Sequence, residues 1–238
     1  MTKTTLPVIT VVIPAFNEEK YIPLLLTSLQ KQTYPQFDVI VVDNNSTDKT
    51  SALAKQHGAK VVTETRQGYV FTLNTGMHAA RGEIIAVTDA DAIPAANWLE
   101  QIAKAFADPR VVGVAGSVGY KDSNGLLNFL SYPLYTIFMA INFFIGKPHL
   151  TGSSMAIRKS AFEKLDGLNF RYEISADVEL GLRLKKYGKV LFRPAITVAA
   201  SARRFRKDPL RQFLKYSNAY LSVVWLAKAP KGQLQPIR

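Results

Sequence analysis

Apolar and polar residues along the chain alternate between two periods. Val8 to Ile13 is a β-branched run ending at Pro14, and Asp38-Val39-Ile40-Val41-Val42-Asp43 follows Tyr34-Pro35. Val61-Val62 makes a brief third run, and Ile84-Ile85-Ala86-Val87 opens after Gly82 and leads to Pro94. Short apolar runs bounded by Gly and Pro predict buried strands. Helical patterns fill the gaps: Leu24, Leu25, Leu26 and Leu29 up to Gln32, a helix capped from Asn44-Asn45-Ser46-Thr47-Asp48 and closed at Gly58, and Phe71 to Ala80. Strands alternating with such helices predict an α/β fold with a mostly parallel sheet, right-handed crossovers, and ligands beyond the carboxyl ends of the strands. Asn17, Asp43 and the Asp89/Asp91 pair fall at such ends, on three different strands.

Further on, residues 95 to 108 predict a helix, Val111 to Val118 a strand, and Val190-Leu191-Phe192 a last strand. Leu126 to Gly146 carries no charge, which raises the question of a membrane span; Asn128, Ser131, Pro133 and Asn142 interrupt it and favour a buried or interfacial helix. Thr151 to Ile157 reads as a small-residue loop entering a strand, and Lys159 to Leu165 as a short helix ended at Gly167. Ser175 is the expected N-cap of the next helix, which puts Asp177 in its first turn, where the helix dipole favours an ionised carboxylate. Glu179 is spaced for an i,i+4 pair with Arg183.

Composition narrows the chemistry. A chain of 238 residues, 47% of them hydrophobic, can bury one large core. With no cysteine, disulfides and thiolate metal sites are excluded, so a metal must be held by oxygen or imidazole. A formal charge of +12 implies attraction to anions, whether nucleotides, lipid headgroups or nucleic acid. No apolar stretch follows Lys3 before the first strand, so no signal peptide is expected. The charge concentrates late: Arg203, Arg204, Arg206, Lys207, Arg211 and Lys215 lie beside an amphipathic run that bears Tyr216, Tyr220 and Trp225. That composition suits either an interfacial membrane anchor or a docked helix with a solvated basic face. The division expected is a domain over 1–200 and a basic amphipathic helical segment over 201–238.

Asp89-Ala90-Asp91 stands where an apolar strand ends. A bend there would bring both carboxylates towards one Mg2+ or Mn2+ ion, which binds through one or two carboxylates plus substrate phosphates; a solvated turn is the alternative.

Taken together, Val12-Ile13-Pro14-Ala15-Phe16-Asn17-Glu18, Val42-Asp43-Asn44-Asn45-Ser46-Thr47-Asp48, Asp89-Ala90-Asp91 and the Asp177 segment resemble the family 2 glycosyltransferases of GT-A fold, in order and in spacing, over roughly residues 8 to 195. The resemblance implies a nucleotide-sugar site. Pro14, Ala15, Phe16, Asn17, Glu18, Asp43 and Asn45 would hold the nucleotide, Arg66 and Gly68 would form a loop near it, and Asp89, Ala90 and Asp91 would meet the metal and diphosphate. Gly152, Ser153 and Ser154 would line the cleft of donor and acceptor, and Asp177 would be the catalytic base. Two departures stand out: Ala176 replaces the Glu usually paired with that Asp, and Tyr69-Val70-Phe71 is not the usual small-residue continuation after Gly68. There is no Gln-x-x-Arg-Trp sequence, which argues against a processive polysaccharide synthase; Arg203-Arg204-Phe205 stands near that location, where a pyrophosphate contact is expected.

The function expected is an inverting sugar transfer from a UDP- or GDP-sugar to an acceptor hydroxyl of a lipid-linked or cell-surface glycan. It would take place in the cytoplasm, peripherally at the inner face of the cell membrane, on an anionic surface. A nucleotidyltransferase also uses paired Asp residues, yet no glycine-rich, Lys-bearing loop follows the first strand. A catalytically inactive nucleotide-sugar or anion-binding domain is the other alternative. Nucleic acid is not an expected partner, because the basic residues are not interleaved with aromatics along a sheet.

Overall fold

The computed structural model describes residues 6–122, 125–206 and 208–230. Its strands are β1 (Ile9–Ala15), β2 (Phe37–Asp43), β3 (Lys60–Thr63), β4 (Ile84–Val87), β5 (Ile93–Pro94), β6 (Val111–Tyr120), β7 (Met155–Arg158) and β8 (Lys189–Ala200). The helices are α1 (Ile22–Gln30), α2 (Thr50–Gln56), α3 (Tyr69–Ala79), α4 (Trp98–Ala105), α5 (Gly125–Phe144), α6 (Lys159–Lys164), α7 (Ala176–Leu184), α8 (Arg203–Arg206) and α9 (Pro209–Val224). Met1 to Thr5, Lys207 of the basic cluster and residues 231–238 lie outside the described residues.

The strands form one sheet in the order β3-β2-β1-β4-β7-β6-β8-β5. It is parallel from β3 to β4, as the alternation of runs and helices predicts. β7 then enters antiparallel between β4 and β6, and β8 returns parallel to β6. The apolar runs are continuous because both faces are covered. Val11 and Ile13 pack with α1 and α4 through Leu25, Leu29, Trp98 and Ile102. Val12, Val42 and Val87 pack with α3, α6 and α7 through Leu73, Phe162 and Leu180.

Two expectations are corrected, and one strand is added. The last strand is twelve residues long, Lys189–Ala200, and survives Pro194 because its register against β6 shifts between Gly116 and Ser117. β5, only Ile93–Pro94, is an edge pair formed with β8 that no local pattern announces. Ser175 stands at the N-cap position of α7 at φ +71° but its side chain makes no capping bond; Asp177 Oδ1 accepts the Val178 amide instead, at 2.9 Å. Glu179 does pair with Arg183, at 2.7 Å. Among the described residues, no helix is long and apolar enough to cross a membrane, α5 included.

Candidate active site

Parallel strands end together, and their loops meet at one edge. Ala15 faces Asp43 in the β1–β2 register, so the loop after Pro14 and Ala15 lies beside the loop after Asp43. The two are stitched to each other. Asn17, at φ +55°, donates its amide to Ser46 Oγ at 3.0 Å and accepts the Thr47 amide on Oδ1 at 2.8 Å. The Glu18 amide donates to Thr50 Oγ1 at 2.8 Å, and Phe16 is half-buried. Asp43 accepts the Ser46 amide at 3.2 Å and the Ser51 hydroxyl at 2.9 Å, which fixes its carboxylate at the head of the second loop.

Asn44 was not singled out as a site residue from the sequence, yet it is 3% exposed and organises the next loop. Its Nδ2 donates to the carbonyls of Glu64 and Arg66, both at 2.8 Å, and its Oδ1 accepts the Gly68 amide at 2.9 Å. Asn45, at φ +61°, donates to the Thr65 carbonyl at 2.8 Å. Arg66 pairs with Glu64 at 2.8 Å and lies 4.8 Å over the ring of Phe71. The guanidinium beside it holds the Glu64 carboxyl down at about 2.

A cleft of about 440 Å³ gathers Tyr69, Asp89, Asp91, Gly152, Ser153 and Asp177. The Thr151–Ser154 loop is its hub. Ser153 Oγ donates to Asp89 Oδ2, the Thr88 hydroxyl donates to the Ser153 carbonyl at 3.0 Å, and the Gly152 amide donates to Asp177 Oδ2 at 2.8 Å. Thr151 and Tyr135 of α5 share a hydroxyl–hydroxyl bond on the outer wall. Gly152 leaves room for Tyr69: a Cβ there would lie 2.5 Å from the Tyr69 hydroxyl and would force the ring to shift. Ala90, between the two aspartates, is 3% exposed and anchors the bend in the core.

Asp89, Asp91 and Asp177 are each half-buried and line the cleft. Burial pushes Asp89 up to about 6, and the charge of Asp91 pushes the same way. Burial also raises Asp177 above the ordinary carboxylate value, against the pull of the Gly152 and Val178 amides. The Tyr69 phenol is held well above its usual value by burial first and by the Asp89 and Asp177 charges second.

Arg203 ties the C-terminal segment to this site. Its Nε lies 2.7 Å from Asp91 Oδ2, its NH2 nitrogen bonds Glu18 Oε1, and its guanidinium stacks 4.7 Å over Tyr21. The Nε–H is not aimed along the Asp91 contact, so that contact is Coulombic rather than a hydrogen bond. Asp122 holds the approach by accepting from the Ser201 hydroxyl and the Ala202 amide, both at 2.6 Å. Sequence alone put Arg203 near a pyrophosphate; its pairing with Glu18 and Asp91 joins residues far apart in the chain and had no local signal.

The donor set is suited to a hard divalent ion. Asp89 and Asp91 offer oxygen only and burden each other electrostatically, and their charges also reach Glu18, whose buried Oε2 has no partner. Among the described residues no three His, Cys, Asp or Glu side chains are grouped to cage an ion, so the fit is to a cation completed by substrate phosphate oxygens.

A sheet of this order, curled around paired carboxylates at the end of β4, is the GT-A fold. The chain belongs to glycosyl transferase family 2, whose sequence model matches residues 10–166. It is 34% identical over 130 residues to glycosyltransferase AglE of Haloferax volcanii, covering 51% of this chain and 43% of that one; the chain thus spans less than half the length of that relative. It is 24% identical over 247 aligned positions, 92% of this chain and 77% of the other, to the dolichyl N-acetyl-alpha-D-glucosaminyl phosphate 3-beta-D-2,3-diacetamido-2,3-dideoxy-beta-D-glucuronosyltransferase of Methanococcus voltae. Its fold is shared with a Pyrobaculum calidifontis mannosyltransferase solved with GDP-Man and Mn2+, at a TM-score of 0.73 and 23% identity, over 95% of this chain and 67% of that one.

Proposed function

We propose that this protein transfers a sugar from a UDP- or GDP-sugar to an acceptor hydroxyl with inversion, and that Asp177 is the base. The observation that carries the reading is the Thr151–Ser154 loop, which binds Asp89 on one side and Asp177 on the other and so sets a diphosphate end and a base end on one cleft.

In this reading Asp177 takes the proton from the acceptor hydroxyl, and the acceptor oxygen bonds to the anomeric carbon. The bond from that carbon to the diphosphate oxygen breaks with its electron pair, which leaves as the nucleoside diphosphate. One displacement gives inversion. Asp89 and Asp91 would hold Mg2+ or Mn2+, which when bound supplies Lewis-acid charge to the departing diphosphate. The Pro14–Glu18 loop, Asp43 and Asn45, with Arg66 and Gly68 beside them, are assigned to the nucleotide. Ala176 in place of the family's Glu is supported as compatible with this role, since burial alone already raises Asp177 towards a useful base.

The acceptor is assigned to a lipid-linked or surface-bound glycan, met by peripheral attachment to an anionic leaflet on the cytoplasmic side. Support comes from α5, where Phe129 and Phe144 are 76% and 91% exposed, from α9, which exposes Phe213 and Leu214 in the stretch that carries Arg211 and Lys215, and from the exposed Trp225 just after it, whose ring lies under Lys147. The two helices touch through a bond from the Tyr220 hydroxyl to Asn142 and through the packing of Tyr220 on Phe138. The Methanococcus voltae relative is itself named for a dolichyl sugar phosphate.

Titrating the protein with UDP and GDP, with and without Mn2+, tests the reading. Metal-dependent binding that weakens in Asp91→Asn is expected; no metal-dependent binding of either would overturn it. Pyrophosphate release from a nucleoside triphosphate would instead favour a nucleotidyltransferase.

A further inference from the structure

We propose that Tyr69 is a sugar-binding residue: its phenolic hydroxyl bonds a hydroxyl of the sugar being transferred and so sets which donors the cleft accepts. The inference rests on the glycosyltransferase reading above and deepens it.

Tyr69 is the first residue of α3, directly after Gly68, whose backbone at φ +141° and ψ 143° suits glycine. Asn44 clamps that entry through the Gly68 amide and the Glu64 and Arg66 carbonyls, so the Tyr69 ring projects from a fixed point. The ring ends between the two functional carboxylates. Its hydroxyl lies 3.4 Å from Asp89 Oδ1, and a Cβ built on Gly152 would stand 2.5 Å from that hydroxyl and 3.7 Å from Asp177 Oδ2.

That position leaves one group of a bound donor for it to meet. The diphosphate belongs on the Asp89/Asp91 side, and the attacking hydroxyl must come within reach of Asp177. What lies between is the sugar ring. A bond of 3.4 Å to Asp89 is long and weak, so the phenol can turn its proton to a closer acceptor, and its oxygen can still accept. Sugar hydroxyls offer both. Tyr69-Val70-Phe71, which departs from the small-residue continuation expected after Gly68, thereby places a bulky polar group where the sugar must sit.

The test compares each nucleotide sugar with its own diphosphate by calorimetry at saturating Mn2+: UDP-glucose and UDP-N-acetylglucosamine against UDP, and GDP-mannose against GDP. In the wild type, the preferred donor binds more tightly than its diphosphate. Tyr69→Phe keeps the ring and its packing, and is expected to remove about three- to tenfold of that gain, the worth of one neutral hydrogen bond, while the diphosphate affinity stays unchanged. Tyr69→Leu repeats the comparison should the Phe variant melt early. Unchanged affinity for both ligands, equal loss for both, or a wild type that never distinguishes a donor from its diphosphate overturns the proposal. If the wild type binds neither UDP nor GDP with Mn2+, it is the glycosyltransferase reading that falls.

Discussion

The backbone amide of Gly152 donates to Asp177 Oδ2 at 2.8 Å, and the other oxygen, Oδ1, accepts the Val178 amide at 2.9 Å. Two fixed donors orient the carboxylate, and burial still raises its pKa. Asp177→Asn should therefore lower kcat by about a hundredfold or more while nucleoside diphosphate affinity changes less than about twofold. Because the base works deprotonated, the acid limb of the wild-type pH–rate profile should lie above the ordinary carboxylate value. Glu179→Gln should spare kcat, since Glu179 is spent on Arg183. Residual Asp177→Asn activity within about tenfold of wild type would move the base elsewhere, with Glu173 of the cleft the next to substitute.

Asn44 is a buried residue whose loss would strand the Gly68 amide and two carbonyls at once. Asn44→Ala should cost about 2–3 kcal/mol of stability and loosen the loop that leads to Tyr69. Urea unfolding and donor affinity, measured on the same preparation, check both effects. A fall in stability with no change in donor affinity would confine Asn44 to the scaffold.

His149 is 4% exposed, its Nδ1 has no partner, and its ring packs 5.7 Å from Phe138 and 5.4 Å from Tyr220. Burial pushes its pKa down to about 4. The unfolded chain takes up that proton near pH 6.5 and the folded protein only near 4, so stability is fully present above about 6.5 and declines as pH falls through this window, by about 3 kcal/mol in all. Calorimetric Tm values at about pH 7 and pH 4.5 should show this loss, and His149→Gln should reduce it. An equal slope in the variant would assign the acid sensitivity to other groups.

The exposed face of α5 and α9 should bind vesicles containing phosphatidylserine, more at low salt than at moderate salt. Replacing Arg211 and Lys215 by Glu should weaken sedimentation about fivefold or more per residue, from about 1 kcal/mol for each basic group at an anionic surface. Equal binding to neutral vesicles, or none at either salt, would return these helices to a solvated or protein-covered role.

Much of the N-terminal half of this protein is written in local order. The period of the apolar runs announces β1, β2 and β4, because both faces of a central parallel sheet demand apolar side chains at successive positions. The Asp89/Asp91 pair could be placed at a strand end for the same reason, and the order of the motifs identified the family. What local order does not encode is which distant segments pair. β7 slots antiparallel between β4 and β6, β5 exists only because β8 lies beside it, and Ser175 yields its capping role to the carboxylate two residues on. The cleft itself is a product of those long-range choices. The Thr151–Ser154 loop links Asp177 to Asp89, Tyr69 enters because Gly152 leaves room, and Arg203 meets Glu18 across 185 positions of sequence. Periodicity reports on neighbours along the chain, whereas these contacts depend on packing and charge between elements, which only the folded sheet brings within reach.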